Sequence, residues 1–294
     1  KSLKNNKLTV LESDVRQLTS KAVKAIQAAD LIIHLAGQVA VTTSVQNPKE
    51  DFEINALGTL NVLEAARLSK KKPTFIYSST NKLYGELLLE SVKEEKNRYV
   101  FVKSTQGISE RYLIDFHSPY GCSKGAADQY VRDYARIYDM NTIVFRQSCI
   151  YGPHQFGMED QGWIAWFLIA LLQNKPSTIY GNGKQVRDVL YLDDLVRAYD
   201  MASEHIEKTR GKIYNIGGGA KNAISIWQDC KPIFESLLKR NITVKYAKER
   251  PGDQRIYVSD IRKAYKDFGW KPQIKVKTGI RMLYDWIYAN CIVS

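Results

Sequence analysis

The chain has 294 residues, 44% hydrophobic and 25% charged, with a formal net charge of +12 and a pI of about 9.3. That length holds one large α/β domain, or a nucleotide-binding domain with a smaller one attached, and the composition is ordinary for a globular protein. No apolar run is long enough for a membrane-spanning helix, and no secretory signal opens the sequence, so no membrane partner is expected.

The basic residues are spread out, as in KSLKNNK at the start, KKK at 70–72 and KYAKER at 245–250. They lack the interleaved aromatics of a single-strand platform, so the charge reads as a solvated basic surface and no nucleic acid is expected. Cys122, Cys149, Cys230 and Cys291 are scattered with no CxxC pair, and the histidines at 34, 117, 154 and 205 have no metal-ligand spacing. Free thiols, a reducing cytoplasmic setting and no metal are the expectation.

In chain order, KLTVLE at 7–12 reads as a strand followed by an SDVR turn, and residues 16–29 carry helical periodicity. LIIHLA at 31–36 has the continuous apolar character of a strand buried on both faces. Asn47-Pro48 is a start signal for a helix over 48–69. TFIYSS at 74–79 is another buried-type strand. Residues 85–117 are charged and aperiodic and read as an insertion or flap. Ser118-Pro119, a cap followed by proline in the first turn, opens a helix over 119–138, and NTIVFRQS at 141–148 is a strand again.

After residue 150 the texture changes. A loop-like YGPHQFGMEDQGW precedes an apolar helix at 164–173. Short strands follow in TIYG, DVLY and KIYNIG, with helices at 193–207, 225–239 and 278–291. Alternating strands and helices predict a parallel sheet covered on both faces, with ligands at the carboxyl ends of the strands. Residues 1–150 read as the nucleotide-binding domain, with 188–207 returning to it. Residues 151–294 read mainly as a smaller substrate domain.

Three stretches form a constellation: HLAGQ at 34–38, SSTNKLYG at 78–85 and SPYGCSK at 118–124. Tyr120 and Lys124 lie four apart at the start of a helix, on one face. That spacing suits a solvated surface pair, and it also suits a phenol whose proton is loosened by a neighbouring ammonium. An isolated Y-x-x-x-K is weak. With a strand ending in Ser-Ser-Thr and with HLAGQ following another strand, the combination is specific.

These residues resemble the extended short-chain dehydrogenase/reductase family, the NAD-dependent nucleotide-sugar epimerases and dehydratases, over nearly the whole chain. HLAGQVAVTTS, DFEIN, YSSTNKLYG, DFHSPYGCSKGAADQYVRDYAR, DQGW and GNGKQVRDVL are similar to the subgroup acting at C2 of a CDP-linked deoxyhexose. The resemblance implies a Rossmann-type, doubly wound parallel sheet with a smaller C-terminal substrate domain. It implies NAD as a tightly held cofactor and a CDP-sugar as substrate. It also implies Tyr120 as general base, with Lys124 and the oxidised nicotinamide lowering the phenol's pKa, and Thr80 hydrogen-bonding the same sugar hydroxyl. A dehydratase of this family usually carries an acidic residue after that threonine, and here Asn81 and Lys82 follow it.

By the same resemblance, Asp14 matches an adenine contact, and Ala36, Gly37 and Gln38 a loop passing the pyrophosphate and ribose. Ser78, Tyr120, Lys124, Gln147 and Ser148 fall around the nicotinamide. Asn81 with Thr80 faces the sugar, while Arg187 and Arg250 grip the diphosphate with planar guanidinium forks. Other readings stand beside these. Asp14 also suits a helix cap, Ala-Gly-Gln a tight turn, and Arg187 a salt bridge to Asp188 or Asp194. Trp163 and Trp166 read as packing, Asn55 as structural, and His117 as a loop residue. A homo-oligomer paired through helices 48–69 and 119–138 is the family's habit.

The family's opening strand, G-x-x-G-x-x-G turn and helix have no counterpart here; no glycine precedes Gly37. The chain reads as a fragment of a longer enzyme lacking the first βαβ unit, one that alone binds NAD poorly. The competing reading is a non-catalytic sugar-nucleotide-binding homologue.

Overall fold

The computed structural model describes residues 7–159, 161–249 and 254–292. Its helices are α1 (Ser20–Ala28), α2 (Val41–Gln46), α3 (Pro48–Phe52), α4 (Gly58–Arg67), α5 (Ser118–Ile137), α6 (Trp163–Leu172), α7 (Leu192–Glu204), α8 (Ile206–Thr209), α9 (Cys230–Leu238), α10 (Arg262–Phe268) and α11 (Val276–Ile287). Its strands are β1 (Leu31–His34), β2 (Thr74–Thr80), β3 (Val92–Glu94), β4 (Tyr99–Phe101), β5 (Asn141–Gln147), β6 (Cys149–Tyr151), β7 (Thr178–Tyr180), β8 (Val186–Tyr191), β9 (Lys212–Ile216), β10 (Ala223–Ser225), β11 (Lys245–Ala247) and β12 (Ile256–Tyr257).

Four parallel strands form the central sheet in the order β1-β2-β5-β9. β2 and β5 pair from Thr74–Asn141 to Thr80–Gln147, so their carboxyl ends finish level. Strand alternation sends Phe75, Tyr77, Val144 and Ile213 to one face, where α4 and α5 cover them with Val62, Leu63, Ala127 and Val131. Ile76, Ile143, Phe145 and Tyr214 point the other way, against Leu195 and Ala198 of α7 and Phe268 of α10. The sheet is thus covered on both faces, as in a doubly wound α/β fold.

A second sheet sets β8 between antiparallel β10 and parallel β12, with β6 also pairing β8. Packed against it, α6, α9 and α11 enclose a core that includes Phe167, Trp227, Phe234 and Leu283.

Several expectations need correction. Residues 7–12 form no strand; residues 7–13 are exposed and no sheet partner lies beside them among the described residues. A short apolar run holds a strand conformation only when a neighbour completes its ladder. LIIHLA does form β1, but at the edge of the sheet. Leu31 and Ile33 are each 38% exposed and Leu35 60%, so the run is not buried on both faces.

The helix expected over 48–69 is interrupted by a π-turn at Glu53–Leu57, a local widening that periodicity does not reveal. The helix expected over 193–207 breaks at His205. The one expected from 225 begins at Cys230, because Ala223–Ser225 is a strand. Within 85–117 a β3–β4 hairpin was not foreseen.

Candidate active site

Local chemistry fixes the start of α5. Ser118 sits at φ 67°, outside the helical region, and its Oγ accepts from the Gly121 amide at 3.3 Å, capping one of the free first-turn donors. Tyr120 and Lys124, one turn apart, are both buried, at 8% and 7% exposure. Lys124 Nζ donates to the Ser78 carbonyl at 2.5 Å and lies 4.3 Å from the centre of the Tyr77 ring. The lysine is thereby held against the end of β2, which carries Thr80. Thr80 and Tyr120 line the same cavity, and the threonine favours the ionised phenol. The structure therefore brings Thr80, Tyr120 and Lys124 together.

Their electrostatics differ from the expectation. Burial pushes the Tyr120 phenol above its ordinary range; Thr80 opposes this and the Asp51 charge adds to it. Burial also lowers Lys124 to about 7, against the opposing attraction of Asp128 and Asp51. Burial alone thus works against the phenol as a base. The cause is desolvation, which disfavours both charged forms at once.

The loop after β1 is clamped by the π-turn. Asn55 Oδ1 accepts from the Gln38 amide at 2.9 Å, and its Nδ2 donates to the Gln38 carbonyl at 3.1 Å. The Gln38 side chain turns away to the Ala40 carbonyl and Asp51. Ser123 Oγ donates to Asp51 Oδ2 at 2.5 Å, tying this clamp to α5. Asn55 is structural, as expected, yet it sets the backbone of the loop that borders the site.

The other expected residues scatter more. Gly37, Ser78, Gln147 and Ser148 line a cavity of about 290 Å³ together with Thr80, Asn81, Tyr120 and Lys124. A contiguous cavity of about 330 Å³ shares Thr80, Asn81 and Tyr120 and reaches Arg187. Gln147 Nε2 donates to Tyr199 Oη at 2.6 Å, and Ser148 Oγ to Asp188 Oδ1 at 2.5 Å. Arg187, 7% exposed, donates to the Val186 carbonyl at 2.8 Å. Asp188 accepts from Ser148 and Gly219, and Asp194 from Arg197.

Ala36 and Gln38 border the site through the loop but do not line the cavities. Asp14 lies apart on the surface in a bidentate pair with Arg16. Arg250 lies outside the described residues. Trp163 and Trp166, expected only to pack, do pack against the core beside α6, but both also line the second cavity.

Sequence reasoning missed Asp128 and Arg146, a fully buried pair beneath the site. The signal was present: a charged residue inside the apolar run TIVFRQS, and an acid four residues beyond Lys124.

The nicotinamide end of a dinucleotide fits these residues. A Cβ at Gly37 would stand 2.9 Å from Asn55 Oδ1 and 3.8 Å from Lys124 Nζ, so glycine keeps the space above the lysine open. An ammonium has three donors. Among the described residues Lys124 Nζ makes one hydrogen bond, to Ser78, which leaves donors for a ribose diol.

A doubly wound sheet with a threonine at a strand end and a Tyr-x-x-x-Lys pair on the neighbouring helix defines a class of enzyme, and the comparisons agree. The sequence model of the family described as GDP-mannose 4,6 dehydratase matches residues 1–283. The chain belongs to this family, the NAD-dependent nucleotide-sugar epimerases and dehydratases of the short-chain dehydrogenase/reductase type.

It is 45% identical over 280 residues to CDP-paratose 2-epimerase of Salmonella typhi, covering 94% of this chain and 81% of the relative. It is 33% identical over 276 residues to a dTDP-glucose 4,6-dehydratase of Escherichia coli, covering 89% and 73%. The UDP-glucuronic acid 4-epimerase of Bacillus cereus, solved with UDP-glucuronic acid and NAD, superimposes with a TM-score of 0.78 at 28% identity, covering 96% and 80%. Among the described residues no helix is long and apolar enough to cross a membrane.

Proposed function

We propose that this chain epimerises a CDP-linked deoxyhexose at C2, interconverting CDP-paratose and CDP-tyvelose, with NAD as the cofactor. The observation that carries the reading is the meeting of Thr80, Tyr120 and Lys124 on one cleft, in a chain 45% identical to a CDP-paratose 2-epimerase. Tyr120 takes the proton of the C2 hydroxyl as the C2–H bond breaks, and returns it when the C–H bond re-forms. Thr80 donates to the reacting oxygen and aligns it with the phenol. Bound NAD would supply the acceptor for the C2 hydride, the source of its return to the other face of the sugar, and a positive nicotinamide charge.

That charge matters because burial alone holds the phenol proton too tightly. Gly37, Ser78, Lys124, Gln147 and Ser148 would hold the nicotinamide riboside. The second cavity takes the sugar nucleotide, with Asn81 against the sugar and Arg187 and Arg250 on the diphosphate. Its apolar walls, Val39, Cys149, Trp163 and Trp166, suit a deoxy sugar, in which C–H replaces some of a hexose's hydroxyl groups. Asn81 after Thr80, in place of an acid, supports epimerisation over loss of water.

Residues 1–150 with α7 form the cofactor half, and most of 151–294 forms the substrate half. The exposed Tyr130 and Ile137 on α5 and Leu57 in the π-turn before α4 support pairing of two copies through helices 48–69 and 119–138. Four free thiols support a reducing cytoplasm.

The test is NMR of CDP-paratose carrying deuterium at C2, incubated with NAD and the chain. CDP-tyvelose that retains the label is expected, and Tyr120→Phe should slow turnover by on the order of 10²–10⁴. Label lost to solvent, or turnover of another nucleotide sugar but not this one, would refute the reading.

A further inference from the structure

Beneath the cleft lies a buried charge pair with no part in the roles above. Arg146 on β5 and Asp128 on α5 are 1% and 0% exposed. They are joined by two hydrogen bonds, Nε to Oδ2 and Nη2 to Oδ1, each 2.9 Å. Ser79 Oγ donates to Asp128 Oδ2 at 2.8 Å. Arg146 Nη1 donates to Tyr84 Oη at 3.1 Å, and Tyr84 Oη donates to Asn215 Oδ1 on β9 at 2.7 Å. Asn215 in turn donates from Nδ2 to the Ile108 carbonyl and from its amide to Glu110 Oε1, both at 2.8 Å. One connected set thus spans α5, β2, β5, β9 and the 85–117 segment.

Its position is informative. Asp128 sits one helical turn beyond Lys124, on the same face. Ser79 lies between Ser78, whose carbonyl takes the lysine's hydrogen bond, and Thr80. A buried ion pair is a poor way to gain stability, since two apolar side chains of the same volume do as well or better. What it supplies here is a fixed negative charge beside Lys124 and a rigid link from α5 to the end of β2.

We infer that Asp128 and Arg146 are positioning residues for the proposed catalytic group: Asp128 is the counter-charge of Lys124, and the pair together locks α5 to the strand end that carries Thr80. The inference rests on the epimerase reading for the roles of Lys124 and Thr80. The charged and titratable groups facing Lys124 are Asp51 from α3, His34 from β1, Tyr77 from β2, and Tyr120 and Asp128 from its own helix. Tyr84 and Tyr257 face the pair from the far side, with Glu110 beyond Tyr84. Burial lowers the lysine's proton affinity, and of the carboxylates that oppose this Asp128 acts more strongly than Asp51.

The test reads Lys124 directly, without substrate or cofactor. Acetic anhydride labels only neutral amines, and peptide mass spectrometry gives the pH at which Lys124 is half-labelled. Asp128→Asn should lower that midpoint by on the order of one pH unit, because it removes an opposite charge and strands the Arg146 guanidinium nearby. Arg146→Met, which frees the Asp128 carboxylate, should raise it.

A residue that acts only by packing would reduce thermal stability and leave the midpoint in place. An unchanged midpoint in both variants, or movement in the same direction, overturns the inference. Should either single variant fail to fold, Asp128→Leu with Arg146→Met restores an apolar fit. The midpoint should still fall in that protein, and an unchanged one overturns the inference equally. Failure of wild-type protein to epimerise the CDP-sugar would count against the proposed function and leave this readout intact.

Discussion

His34 should make this protein acid-sensitive in a way that one substitution removes. Its ring is 5% exposed and sits 5.8 Å from both the Phe75 and Tyr77 rings. Thr59 Oγ1 gives its own hydrogen to the Asn55 carbonyl at 2.6 Å. The 3.0 Å contact between His34 Nε2 and Thr59 Oγ1 must therefore run from the histidine, which sets the Nε2–H tautomer. Burial, aided by the nearby Lys124 charge, lowers the ring from 6.5 to about 3.

The sign follows. Between those values the unfolded chain binds a proton that the native protein refuses, so stability is complete above 6.5 and falls as pH drops toward 3. The full loss is roughly 5 kcal/mol, at about 1.4 kcal/mol per unit. About 2 kcal/mol of it is gone by pH 5. The assay is urea unfolding at pH 7 and pH 5, comparing wild type with His34→Gln, which keeps a donor for Thr59. Gln cannot protonate, so the variant should lose about 2 kcal/mol less between the two pH values. Equal losses in both proteins would show that His34 is not the sensitive group.

Three further outcomes are expected. Lys124→Met should raise stability at pH 7 by about 1–3 kcal/mol while abolishing turnover. The buried amine, lowered from 10.5 to about 7, is a burden that persists below pH 7 and disappears only as pH rises toward 10.5; a lower melting temperature in the variant would contradict this. Gly125→Ala drives a Cβ into the Phe116 ring and should cost about 1–3 kcal/mol, read by thermal unfolding. On the diphosphate role proposed for Arg187, Arg187→Gln should raise KM for the CDP-sugar by on the order of tenfold or more with a smaller change in kcat, since a planar fork suited to phosphate is lost without touching Tyr120; steady-state kinetics decide it.

Much of the central sheet was legible because its parts carry local signals. TFIYSST and NTIVFRQ are apolar runs of strand length, and Ser118-Pro119 marks the start of α5 with a cap. The strand ends then place Ser78, Thr80, Gln147 and Ser148 around one cleft. What was not legible depends on partners distant in sequence. KLTVLE has strand composition but no ladder, and LIIHLA has core composition but an edge position. The π-turn that lets Asn55 clamp Gln38 leaves no mark in periodicity. The perturbed state of Tyr120 and Lys124 comes from burial, which spacing cannot measure. Arg146 could have been noticed, since an arginine in the middle of a buried strand has to find an acid.

The segment over 85–117 lines neither cavity but is tied down along its length. The Ile108 carbonyl and Glu110 are bonded to Asn215 on β9, Ile108 bridges to Ser259, and the Tyr99 amide reaches the Lys184 carbonyl at 3.1 Å. A segment held at so many points is fixed framework, not a lid. Its conformational entropy is spent during folding, so ligand binding has little of it left to freeze.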